Sequence, residues 1–189
     1  LPATREGLFA ARLALVQREN AGKRAAVLIP NPFYQCYAAA ALAAGAEPVF
    51  VNATARTGHL PDLDALDPAL LDRTAAIYLC SPANPQGAVA DRAYWRRLLN
   101  LAERHDFRIF ADECYSEIWR DAPPPGALEA AEETGAEPER VLAFHSLSKR
   151  SNLPGLRAGF VAGGPDAIAR MLRLRAYGGA PCPLPAQAA

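Results

Sequence analysis

Apolar positions along the chain follow two alternating rhythms. Short aliphatic, β-branched or aromatic runs occur at 26–29, 48–51, 75–80, 107–111, 141–144 and 159–162, and runs of that length bounded by turn residues read as buried strands. Between them lie stretches with helical spacing, at 4–19, 34–44, 91–105 and 166–177. Thr4 and Asp91 read as N-caps, Gly45 closes the second helix and Pro165 precedes the fourth. In the third stretch Tyr94, Trp95, Leu98, Leu99 and Ala102 share one side, while Arg92, Arg96, Glu103 and Arg104 lie largely elsewhere, so this helix should cover a sheet. Strand, crossover and strand in repetition predict an α/β fold. It would be a mostly parallel sheet layered by helices, a three-layer α/β/α arrangement with ligand groups at the strand ends and in the loops after them. Pro123-Pro124-Pro125-Gly126 reads as a surface loop or stiff spacer.

Composition narrows the class without naming a chemistry. With 51% hydrophobic and 21% charged residues among 189, the chain can bury a substantial core as one domain. Its 20 basic and 20 acidic residues balance and are scattered, which favours neither nucleic acid nor anionic lipid as a partner. No apolar run approaches the roughly 20 residues needed to span a bilayer, and the first residues lack a charged-then-apolar export pattern, so a cytoplasmic protein is expected. Cys36, Cys80, Cys114 and Cys182 form no Cys-x-x-Cys pair, which argues against zinc and against a disulfide framework. They read as small core residues or incidental surface thiols.

The strand-end rule picks out three polar residues. Asp112 directly follows the run at 107–111, Asn84 follows 77–80 across Ser81-Pro82-Ala83, and Lys149 follows 141–144 across His145-Ser146-Leu147-Ser148. All three should converge on one rim. Lys149 lies 37 positions after Asp112 and just before Pro154-Gly155-Leu156-Arg157, an arrangement suited to pyridoxal phosphate. The amine can form a Schiff base with the cofactor aldehyde, and the carboxylate can keep the pyridine nitrogen protonated so that the ring accepts electrons. Ser146, Ser148 and Arg157 supply hydroxyls and a two-pronged guanidinium for a phosphate. Each residue also has a plainer reading: Lys149 as a surface loop lysine, Asp112 as an N-cap, and Asn84 as part of an ordinary Asn-Pro turn.

Taken together, Asn31-Pro32-Phe33-Tyr34, Ser81-Pro82-Ala83-Asn84-Pro85-Gln86-Gly87, Ala111-Asp112-Glu113-Cys114-Tyr115 and Ser146-Leu147-Ser148-Lys149 with Arg157 resemble the fold-type I pyridoxal-phosphate enzymes, in the aminotransferase class. The likeness runs over essentially the whole chain in the family's order. It implies the large domain of the aspartate aminotransferase fold. Lys149 would then be the cofactor-linked lysine and the base at the substrate α-carbon, favoured in its neutral form by burial. Asp112 would be the partner of the ring nitrogen, and Asn84 and Tyr115 the hydrogen-bond partners of the phenolic oxygen. Tyr34 would be the stacking aromatic, with Phe33 and Tyr37 as rivals for that place. The resemblance also brings in the backbone amides of Thr4 and Arg5, at the positive end of the first helix, as phosphate ligands. Ala3 stands where the family often has glycine, which puts a tight approach of backbone to phosphate in question. Arg150 and Ser151 are expected to be placed by the loop without touching cofactor.

The resemblance further implies cis bonds at Asn31-Pro32 and Asn84-Pro85. Gln86 stands where threonine is usual, a change expected to affect loop hydrogen bonding more than chemistry. Family members run to about twice this length, so residues 1–189 are expected to be the cofactor-binding large domain without the N-terminal segment and the C-terminal small domain. Alone, this segment should bind cofactor weakly, turn over negligibly and expose an interface that a homodimer would cover. The loop wording is most similar to bacterial succinyldiaminopimelate aminotransferases of lysine biosynthesis, which use glutamate and a succinylated keto-acid. Aspartate, alanine or aromatic aminotransferases, a carbon-sulfur lyase of the same fold, and a cofactor-sensing regulator domain are the alternatives.

Overall fold

The computed structural model describes residues 1–188. Its elements in chain order are α1 (Thr4–Leu15), β1 (Glu19–Asn20), β2 (Lys23–Arg24), β3 (Ala26–Asn31), α2 (Gln35–Ala43), β4 (Glu47–Asn52), α3 (Pro68–Leu71), β5 (Thr74–Cys80), α4 (Arg92–His105), β6 (Arg108–Asp112), α5 (Ala127–Thr134), β7 (Val141–Ser146), α6 (Leu147–Arg150), β8 (Gly159–Gly163), α7 (Pro165–Gly178) and α8 (Leu184–Ala188). The main sheet has six strands in the order β4-β3-β5-β6-β7-β8. β3 to β7 run parallel, and β8 returns antiparallel along β7 from Leu142↔Gly163 to Ser146↔Gly159. All six strands expected from the sequence are present.

Side-chain alternation divides the interior in two. On β5, Ala76 and Tyr78 turn to one face, where they join Leu8, Ala11 and Leu15 of α1, Tyr37, Ala40 and Ala41 of α2, and Ala167 and Met171 of α7. Ile77 and Leu79 turn to the other, against Trp95, Leu98, Leu99 and Ala102 of α4 and Ala127, Ala130 and Ala131 of α5. The result is the expected helix, sheet, helix layering. α4 forms as its sequence dictates: the Asp91 side chain accepts from Tyr94 N at 2.7 Å at the start, and Asp106 ends it in a left-handed conformation, φ 51°. Trp95 is fully buried and donates from Nε1 to Pro125 O at 3.2 Å. Trp95→Ala is therefore expected to lower the unfolding free energy by about 3–5 kcal/mol, measured as a lower midpoint in urea with unchanged slope.

Helix α1 departs from expectation at both ends. Its N-cap is Ala3 and not Thr4, and it stops at Leu15, not Glu19. Glu19–Asn20 instead pairs with Lys23–Arg24 across Ala21 (φ 50°) and Gly22 (φ 68°), a two-residue hairpin turn with both central residues at positive φ. α5 is not among the helices expected from sequence: its run is only 8 residues long and its buried face is made of alanines, Ala127, Ala130 and Ala131. The cis bonds expected at Asn31-Pro32 and Asn84-Pro85 are present, and Ser81-Pro82 is cis as well.

The topology also locates a crevice. After β3 the chain passes through α2 to β4 on one side, while β5, β6 and β7 add on the other. In open α/β sheets, ligands bind beyond the carboxyl ends of the strands at such a reversal. Among the described residues no helix is long and apolar enough to cross a membrane.

Candidate cofactor-binding site

A cavity of about 350 Å³ opens at those strand ends. Asp112 closes β6 and Ser146 closes β7, one strand over in the register Asp112↔Phe144. Lys149 sits in the single turn α6 directly after β7. Asn84 lies in the loop after β5, which Gly87 N→Ala83 O at 2.7 Å and Ala83 N→Ala88 O at 2.8 Å fold back on itself. Asp112, Lys149, Asn84 and Tyr115 all line the cavity, so the convergence on one rim expected from sequence is met.

Asp112 is buried, yet both carboxylate oxygens have partners within the chain. Tyr37 donates its phenol proton to Oδ2 at 2.6 Å, and Cys114 N approaches Oδ1 at 3.3 Å. It caps no helix. Buried polar groups without partners are costly, and this carboxylate is held in place with capacity left toward the cavity. Tyr115 sits with its ring centroid 5.9 Å from Lys149 Nζ, and burial raises its pKa, which keeps the phenol a donor at neutral pH.

Lys149 itself is exposed, which corrects the expectation of burial. Its turn lies on the rim of the sheet, and residues 1–188 place no layer above it. The loop that carries it is nonetheless closed: Ser146 Oγ accepts from Ser148 N at 3.2 Å, Leu147 N donates to Ala158 O at 3.1 Å, and Leu153 N to Leu147 O at 3.1 Å. Arg157 ends the loop in a left-handed conformation and anchors Nη1 on Pro154 O at 2.9 Å. Ser146, Ser148 and Arg157 line the cavity. Arg150 pairs with Glu117 at 3.2 Å.

Thr4 and Arg5 reach the same cavity from α1. Gly159 permits this approach, because a Cβ there would lie 2.6 Å from His145 O and 3.4 Å from Thr4 N. Ala3 adopts φ 72°, ψ 159°, a region that glycine alone visits freely and that costs other residues about 1–3 kcal/mol. The alanine thus takes the glycine-type conformation. The Thr4 hydroxyl is 3.2 Å from Cys114 Sγ, so the helix offers backbone amides to the cavity in preference to that side chain.

Of the three aromatic candidates, Tyr34 is the half-buried ring, edge-on to Tyr37 and in contact through its hydroxyl with Arg5 Nε. Tyr37 is stacked into the core on Tyr78 at 4.5 Å, and Phe33 pairs with Phe50 at 4.8 Å. Sequence reasoning missed the contact of Tyr37 with Asp112. It also missed Glu113, whose carboxylate is buried between Ala127 N (2.7 Å) and His145 Nε2 (3.2 Å) and ties the Asp112 loop to α5. Gln86 Oε1 is buried and has no hydrogen-bond partner among the described residues. Burial pushes the Cys36 thiol up to about 11 and those of Cys80 and Cys114 well above their ordinary range, so none supplies a thiolate near neutrality.

The donor set fits pyridoxal phosphate. A buried, oriented carboxylate suits a cationic ring nitrogen; a helix N-terminus, two serines and an arginine suit a dianion; and the lysine stands on the same cavity. The model of one family, aminotransferase class I and II, matches residues 4–189. The LL-diaminopimelate aminotransferase of Desulforudis audaxviator is 39% identical over 150 residues, 79% of this chain and 37% of its own. An aminotransferase structure from Neisseria meningitidis superposes with TM-score 0.92 at 39% identity, over 99% of this chain and 47% of that one. A probable N-succinyldiaminopimelate aminotransferase from Thermus thermophilus gives TM-score 0.83 at 31% identity, over 95% and 46%. The chain therefore spans less than half of each of these relatives. It belongs to the class I and II aminotransferases, whose members depend on pyridoxal phosphate.

Proposed function

We propose that these residues form the cofactor-binding large domain of a longer enzyme that moves an amino group between an amino acid and a 2-oxo acid. One observation carries this reading: Lys149, Asp112, Asn84, Tyr115 and the anion-binding groups around α1 and Arg157 line a single cavity. Bound there, pyridoxal phosphate would supply an electron-accepting ring that eases removal of the substrate α-proton. Asp112 holds positive charge on the ring nitrogen, since a buried carboxylate is stable when paired with a cation. Tyr115 Oη and the Asn84 amide would donate to the ring's phenolic oxygen, and Tyr34 would stack on the ring. The amides of Thr4 and Arg5, the hydroxyls of Ser146 and Ser148 and the Arg157 guanidinium neutralise the phosphate. Lys149 Nζ would take the proton from the substrate α-carbon, a role that asks for a free amine within reach of that atom.

For the substrate, we favour a diaminopimelate-type amino donor, N-succinyl-LL-2,6-diaminopimelate, with 2-oxoglutarate as acceptor, in lysine biosynthesis. The support is the kind of relatives the chain matches, which include an LL-diaminopimelate and a probable N-succinyldiaminopimelate aminotransferase. Ile118, Trp119, Leu172 and Tyr177 are exposed, in keeping with a homodimer or further chain covering them; the molar mass from sedimentation equilibrium of the full-length protein checks the dimer. The activity test offers the full-length protein, with cofactor and 2-oxoglutarate, the succinylated and free diaminopimelates, aspartate, alanine and phenylalanine. Glutamate formation is expected with one diaminopimelate well above the rest, and only trace turnover from residues 1–189 alone. Pyruvate and ammonia from cystathionine, with no amino transfer to any oxo acid, would contradict the proposal.

A further inference from the structure

Tyr37 is the one polar side chain around Asp112 that the proposed chemistry leaves without a task. It is 1% exposed, and its hydroxyl reaches Asp112 Oδ2 at 2.6 Å. Its ring is fixed on two sides, nearly parallel to Tyr78 (centroids 4.5 Å apart, 9° between planes) and edge-on to Tyr34 (5.7 Å, 86°). Tyr78 is fixed in turn, donating to Leu8 O of α1 at 2.8 Å. A column of interlocked rings thus joins the helix whose N-terminus faces the cavity to the carboxylate at the end of β6.

We propose that Tyr37 is a positioning residue that tunes the charge Asp112 presents to the cofactor ring nitrogen, acting only through that carboxylate. The inference rests on the aminotransferase reading. A carboxylate has two oxygens and about four acceptor positions; with Oδ2 held by the phenol and Oδ1 by Cys114 N, rotation is blocked and the remaining lone pairs are aimed. A hydrogen bond to a charged acceptor also draws off part of its charge. Tyr37 can only donate here, because burial and then the neighbouring carboxylate push its pKa well above the ordinary value. The other titratable groups around the pair are the thiols of Cys36, Cys80 and Cys114 and the phenols of Tyr78 and Tyr115, all held in their neutral forms by burial, with the Tyr34 ring edge-on to Tyr37. No competing charge therefore stands between the phenol and the carboxylate.

The test uses the full-length holoenzyme with Tyr37→Phe. Without the donor, Asp112 carries more charge and a looser orientation, and the proton on the cofactor-linked Lys149 nitrogen is held more tightly. The pH midpoint of the cofactor's visible absorbance is expected to move up by about one unit, as one charge-assisted hydrogen bond warrants. Turnover per bound cofactor should fall about tenfold, with the KM for the amino donor within about twofold. Should Tyr37→Phe fail to fold, 3-fluorotyrosine at position 37, a stronger donor of nearly the same shape, is expected to shift the midpoint down. An unchanged midpoint and unchanged turnover, with or without a lower melting temperature, would overturn the proposal and leave Tyr37 a packing residue. A parent enzyme with no visible band and no amino transfer would instead defeat the aminotransferase reading.

Discussion

Lys149→Ala in the full-length protein is expected to lower kcat by on the order of 10⁴-fold, the upper range for losing a positioned acid-base group, and to leave the fold intact. The two halves of this expectation have separate grounds. Lys149 stands on the cavity that gathers Asp112, Ser146, Ser148, Arg157 and Tyr115, with Nζ 5.9 Å from the Tyr115 ring; no other lysine lines that cavity, and the remaining lysine of the chain, Lys23, is in the small hairpin. Yet Lys149 is exposed and makes no buried contact, and substitutions at such positions usually change stability by less than about 0.5 kcal/mol. Steady-state kinetics at saturating cofactor, with a melting curve alongside, checks both. Retention of more than about one per cent of turnover would assign the proton transfer to another group.

The second large effect is expected at Asp112. On the proposed pairing of Asp112 with the ring nitrogen, removing one partner of a buried ion pair costs about 3–5 kcal/mol, so Asp112→Asn, similar in shape and uncharged, should lower kcat/KM by on the order of 10²–10⁴-fold. Asp112→Ala should do this and destabilise the protein too, because it leaves the buried Tyr37 hydroxyl without its acceptor. The contrast between the two substitutions separates charge from packing. Kinetics and thermal denaturation of both variants measure it, and activity within tenfold of the parent in Asp112→Asn would contradict a charge role at the ring nitrogen.

Strand positions were readable in the sequence because β5, β6 and β7 are buried on both faces, which writes them as short continuous apolar runs. The antiparallel return of β8 was not readable: Gly159–Gly163 has the same apolar wording whichever way it runs, and only the short loop around Arg157 fixes its direction. The early end of α1 was written in Ala21-Gly22, a turn whose positive φ values favour a hairpin, but helical spacing through Val16 masked it. At the site, every residue singled out sits on the cavity, because ligand groups at strand ends follow directly from strand order. What escaped was burial. Tyr37 carries an apolar ring and a polar tip, and sequence does not say which one governs its place; the exposure of Lys149 depends on layers that no local pattern encodes.

The most direct test of the central claim is reduction of the full-length, cofactor-loaded protein with borohydride, followed by proteolysis and mass spectrometry of the peptides. The account predicts a single peptide carrying the reduced cofactor, with the added mass on the nitrogen of Lys149. Attachment at another lysine, or no covalent attachment in protein that transfers amino groups, would contradict it.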